Sequence, residues 1–131
     1  MAEPPHIRLR GPVIDAPAGE DALKLAAFYE RLLGWHVVNS APVGWAMLEA
    51  PTGGLKIEIQ GLPDYEPPVW PNEPDAQQMM VHLDFATDDV DAAVAWAIEC
   101  GATVAPHQPQ PHVSVMLDPV GHPFCLFRGA L

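Results

Sequence analysis

The chain has 131 residues, which is one domain with room for a sizeable core, and its 49% hydrophobic and 18% charged composition excludes a disordered chain. Six Lys and Arg against 17 Asp and Glu give a formal net charge of −11, which excludes a nucleic-acid partner because phosphate binding needs clustered cations. No apolar run approaches the roughly 20 residues that span a bilayer, and no basic segment followed by an apolar one opens the chain. With two cysteines, Cys100 and Cys125, there is no disulfide framework, so the expectation is a cytoplasmic protein with two free thiols and no membrane partner. The acidity keeps the chain soluble and favours approach of a cationic ligand.

In chain order, a strand is expected within Ile7 to Ala16. A helix follows from Asp21 to Leu33, with Leu25, Phe28, Tyr29, Leu32 and Leu33 on one face and Gly34 ending it. Strands are then expected at Trp35 to Asn39, Trp45 to Glu49 and Leu55 to Gln60, with Gly53-Gly54 turning the last hairpin. Gly61 to Pro74 holds five prolines and two aromatics, so it reads as a surface linker. A strand from Met79 to Ala86 leads to a helix capped by Thr87 or Asp88 and ending at Cys100. Val90, Val94, Ala97 and Ile98 form its apolar face, and Gly101 stops it. Strands at Thr103 to Ala105, Val113 to Leu117 and Phe124 to Phe127 complete the chain, the last two joined at Asp118-Pro119-Val120-Gly121. The order is β-α-β-β-β twice: one module over about 6–60, a connection over 61–78 and a second module over about 79–128, within a single domain of 1–131. Gly34 and Gly101, the two helix stops, lie 67 residues apart.

The segments Ala27-Phe28-Tyr29-Glu30-Arg31-Leu32-Leu33-Gly34-Trp35, His82-Leu83-Asp84-Phe85 and Asp118-Pro119-Val120-Gly121-His122-Pro123-Phe124 carry a resemblance over nearly the whole chain. On this duplicated plan the sequence resembles the vicinal-oxygen-chelate superfamily, which includes glyoxalase I, extradiol dioxygenases, fosfomycin-modifying enzymes and bleomycin-binding proteins. Pro67-Pro68-Val69-Trp70-Pro71 is similar to its glyoxalase-like branch. The resemblance implies an α+β fold with one curved, mostly antiparallel eight-stranded sheet, helices on its convex side and a ligand in the cup. It also implies metal ligands from the first and fourth strands of each module. Those positions fall on His82, on Glu58, and on Cys125, where the family's metalloenzymes usually carry Glu. The remaining one falls on Asp15 at a constant offset, or on Pro12 if Ala18-Gly19-Glu20 is an insertion. The two registers put opposite faces inward, and both stand open at this point.

Strand alternation sets Gln60 beside Glu58 and Asp84 beside His82. Imidazole and carboxylate suit Zn, Ni, Mn or Fe(II). Trp70, in a Pro-rich segment with no packing duty, reads as a pocket lid. His122 reads as a turn cap or a ligand contact at the rim, and His107 and His112 as loop residues. No Ser-His-Asp order or phosphate-cradling loop is present. Two functions follow. One is a small-molecule binding protein taking a cationic or aromatic ligand on Glu58, Gln60, Trp70, His82, Asp84, His122 and Cys125. The other is a metal-dependent lyase, isomerase or oxygenase with Glu58 as base and a metal held by His82 and Glu58. Exposed sheet edges point to a homodimer.

Overall fold

The computed structural model describes residues 3–130. Strand β1 (Val13–Pro17) leads into helix α1 (Glu20–Leu33), followed by β2 (His36–Ala41), β3 (Trp45–Glu49) and β4 (Lys56–Leu62). After the linker come β5 (Leu83–Thr87), α2 (Val90–Cys100), β6 (Thr103–Val104), β7 (Val113–Leu117) and β8 (Pro123–Arg128). The β-α-β-β-β order recurs, and among the described residues no helix is long and apolar enough to cross a membrane.

The strands form two four-stranded sheets, ordered β1-β4-β3-β2 and β5-β8-β7-β6, rather than the single eight-stranded sheet the resemblance implies. Within each sheet the first strand runs parallel to the fourth, and the others pair antiparallel. A side chain from the second module meets β1, the strand at one end of the first sheet. The His122 imidazole donates from Nε2 to the Asp15 carbonyl of β1 at 2.6 Å, so an edge acceptor of β1 is met by a ring.

Apolar alternation decides which face of each sheet is covered. Ile14, Leu48, Ile57 and Ile59 of the first sheet are buried with Leu25, Phe28 and Tyr29 of α1. Met116, Phe124 and Leu126 of the second sheet enter the same core. Each such side chain, fully buried, contributes about 1.5–3 kcal/mol. The aromatics join the modules: the Phe28 and Phe124 rings lie 6.1 Å apart and those of Tyr29 and Phe85 6.5 Å apart, both pairs tilted.

Helix α1 starts after Gly19 without a side-chain cap, but Glu20 and Asp21 lie in its first turn, where the dipole favours anions. Gly34 ends it in the left-handed conformation. The cap of α2 is Asp89, not Thr87 or Asp88: its carboxylate accepts the Ala92 N–H at 3.0 Å. Thr87 instead accepts the Asp89 N–H at 3.2 Å, shaping the approach to the helix. The first strand, Val13–Pro17, lies in the expected window but for its last residue, whereas the fifth starts later than expected, at Leu83–Thr87, which leaves His82 one residue ahead of its strand.

Candidate functional site

The cavity of interest lies on the second sheet, on the face turned from the core. Met116, Phe124 and Leu126 point into the core, so alternation sends Val113, Val115, Pro123 and Cys125 the other way. These four, with His82, Trp70, Met79, Pro109 and Gln110, enclose about 280 Å³. Trp70 comes from the linker, and its ring lies 5.4 Å from that of His107. The Pro-rich loop before β7 is held by Gln108, whose amide donates to the carbonyls of Ala105 at 2.9 Å and Val115 at 2.7 Å and accepts the Val115 N–H at 2.9 Å. A long loop thus becomes a fixed wall. The walls are largely apolar, with polar groups contributed by His82, Gln110 and Cys125.

At one side of this cavity three donor groups converge. His82 and Asp84 stand two residues apart in extended chain and so share a face, with His82 Nε2 at 3.2 Å from Asp84 Oδ1. Cys125 lies directly across from Asp84 in the parallel β5–β8 pair. One ligand atom from each of the three falls within 4.8 Å of the others. Burial pushes the Cys125 thiol up, and the Asp84 carboxylate beside it adds to the rise, so the free group is a thiol at neutral pH. Both cysteines are free.

The other expected residues lie elsewhere. Glu58 is on the face of β4 turned from α1, since its neighbours Ile57 and Ile59 are buried. Its carboxylate is 3.8 Å from the Arg10 guanidinium, and it joins neither the cavity nor the three-group cluster. Gln60 is exposed on the same strand. His122 borders a separate polar cavity of about 650 Å³ with Asp15, Asp64 and Tyr65. It is fastened there: its backbone N–H donates to Asp118 Oδ1 at 2.9 Å, and its ring lies 3.2 Å from the Tyr65 hydroxyl.

A metal set drawn from both modules does not fit these residues. Glu58 pairs in sequence position with Cys125, and strand pairing sets Val13 opposite Glu58 as it sets Asp84 opposite Cys125. Two residues upstream of Asp84 is His82; two upstream of Val13 is Gly11, which has no side chain. Neither Asp15 nor Pro12 matches His82. Gly11 cannot be replaced cheaply, because its φ is +148° and an added Cβ would stand 1.8 Å from the Lys56 carbonyl oxygen. Asp15 does share the face of Glu58, but it stands opposite Gln60.

Several structural residues escaped the sequence reading. Tyr29 donates to Asp118 Oδ2 at 2.7 Å in the core, beneath the β7–β8 turn. Asp118 Oδ1 also accepts the Val120 N–H at 3.0 Å. Tyr65 ties the linker to this turn by donating to the Val120 carbonyl at 2.9 Å. Burial, followed by the charges of Asp118 and Asp15, raises the Tyr65 hydroxyl far above the ordinary phenol range. The one signal for Tyr65 was an aromatic in a segment otherwise suited to solvent.

A family profile described as "Glyoxalase-like domain" matches residues 13–127. Among solved structures, a glyoxalase/bleomycin resistance protein/dioxygenase family enzyme from Burkholderia phytofirmans PsJN is similar, with 22% identity and a TM-score of 0.66, over 93% of this chain and 98% of that one. So is TnmS3, an antibiotic binding protein from Streptomyces sp. CB03234, with 19% identity and a TM-score of 0.60, over 98% of this chain and all of that one. A bleomycin resistance determinant encoded on the transposon Tn5 is 21% identical with a TM-score of 0.60, over 95% of this chain and 100% of that chain. At these identities the likeness is one of fold. No curated protein matches.

Proposed function

Because the chain belongs to the glyoxalase-like domain family, within the vicinal-oxygen-chelate superfamily, we propose that it is a small-molecule binding protein whose ligand enters the cavity beneath Trp70. The observation that carries this reading is the cavity's construction: apolar strand side chains form the floor, and an indole from the linker forms a wall. Trp70 has no other duty of comparable weight, since it packs on a loop imidazole rather than in the core. A volume of about 280 Å³ is at the small end of the ligand-pocket range of roughly 300–1,000 Å³. It admits one or two fused rings, or the aromatic portion of a larger molecule. The net charge of −11 steers cations toward the protein, and Asp84 stands beside the cavity's polar side, so a flat aromatic bearing a positive charge fits best. The antibiotic-binding and bleomycin-resistance proteins of similar fold support this chemistry by analogy.

The catalytic alternative has less support. Glu58, its base, does not border the cavity and stands beside Arg10. The reading is tested by fluorescence titration with matched pairs of neutral and cationic one- and two-ring aromatics, with bleomycin as a large comparator. Saturable quenching is expected, weakened at least about tenfold by Trp70→Ala, which corresponds to about 1.4 kcal/mol. Absence of saturation across the panel, or binding indifferent to Trp70→Ala when followed by calorimetry, would sink it.

A further inference from the structure

We propose that His82, Asp84 and Cys125 form a site for a zinc-class divalent metal contained wholly in the second module, at the edge of the cavity and with an open coordination position. This differs from a site assembled across two modules, for which the first module has Gly11 and a carboxylate paired with arginine. The local fold places the donors. His82 and Asp84 project from one face of an extended segment, and β8 delivers Cys125 opposite Asp84.

Distances and donor chemistry agree. Tetrahedral zinc with bonds of about 2.0–2.3 Å holds its ligand atoms about 3.3–3.8 Å apart. The three atoms here lie within 4.8 Å of one another, and the His82–Asp84 pair is already at 3.2 Å. One nitrogen, one oxygen and one sulfur suit Zn(II) or Co(II) and disfavour Mg(II) and Ca(II), which take oxygen ligands. His82 and Asp84 side chains are 40% and 59% exposed, so an ion has a path in. On binding, the Cys125 proton leaves to solvent and the thiolate takes the metal. Three protein ligands leave a fourth place open, and both His82 and Cys125 border the cavity, so an ion held by them would lie at its edge.

The probe is cobalt chloride added to chelator-treated full-length protein, with zinc displacement followed by calorimetry. The expected result is one equivalent bound, with a near-ultraviolet thiolate-to-cobalt absorption that survives Cys100→Ser and disappears in Cys125→Ser. Asp84→Asn alters an exposed side chain, so circular dichroism should show it folded, and it should weaken binding at least about tenfold. Glu58→Gln should change nothing. Absence of stoichiometric binding at tens of micromolar metal overturns the proposal, as does a charge-transfer band that persists in Cys125→Ser. So does a loss in Glu58→Gln as large as in Asp84→Asn, which would place the site between modules. Trp70→Ala should leave the metal titration unaltered, so failure here and failure of the aromatic-ligand reading are separable.

Discussion

Replacing Tyr29 with Phe removes one oxygen from the core and leaves the ring packing in place. The hydroxyl donates to Asp118 Oδ2 at 2.7 Å, both residues are buried, and Asp118 is 4% exposed. Oδ1 keeps its bonds from Val120 and His122, whereas Oδ2 loses this donor and has little access to water. A hydrogen bond to a charged group contributes about 1.5–3 kcal/mol, so a loss of about 2 kcal/mol is expected. At roughly 2.1 cal/mol/K per residue, a domain of this length unfolds with an entropy of about 275 cal/mol/K, so the midpoint should fall by about 7 °C. The pH dependence identifies the cause. Burial first of all raises the Asp118 pKa, while the His122 charge and then the Tyr29 hydroxyl pull it down. Because the folded pKa is above the unfolded one, this group's contribution to stability is fullest below the unfolded pKa and declines as pH rises through the folded value. Tyr29 favours the ionised form, so Tyr29→Phe should be most costly above the folded pKa and less costly as acid protonates Asp118. Urea unfolding at a series of pH values measures this. A loss under about 0.5 kcal/mol at neutral pH, or a penalty that grows toward acid, would refute the reasoning.

Gly11→Ala should destabilise by about 3 kcal/mol or more, read by urea unfolding, because the methyl meets the Lys56 carbonyl in a strained backbone region; a change within 0.5 kcal/mol would refute it. Asp89→Ala should cost about 1 kcal/mol through loss of the α2 cap, and Asp88→Ala much less; equal costs by thermal unfolding would disprove the assignment of the cap. The protein is expected to be a homodimer, since β2 and β6 present free sheet edges; a monomer mass by light scattering at tens of micromolar would count against it.

Much of the architecture is legible in the chain because it is local. Strands Trp45–Glu49 and Val113–Leu117 follow from alternation bounded by Gly and Pro, and the Asp118–Gly121 turn follows from residues that favour turns whatever surrounds them. The helix stops at Gly34 and Gly101 have the same origin. Recurrence of these signals at a spacing of 67 residues made the duplication visible. Alternation also set His82 beside Asp84, because side-chain period is a property of the strand alone.

Tertiary structure decided what depends on pairing between distant segments. A parallel pair such as β1 and β4 has no connecting turn to set its register, and only that register matches Gly11, rather than Asp15 or Pro12, with His82. Nor could composition tell that Glu58 stands beside Arg10, that Tyr29 reaches Asp118 across 89 residues, or that the His122 ring of the second module meets the Asp15 carbonyl of the first. Local patterns carried the type and order of the elements and the chemistry available, though not every boundary or cap. Which of those groups share a cavity was settled by packing, because convergence is a sum of long-range contacts that no local pattern encodes.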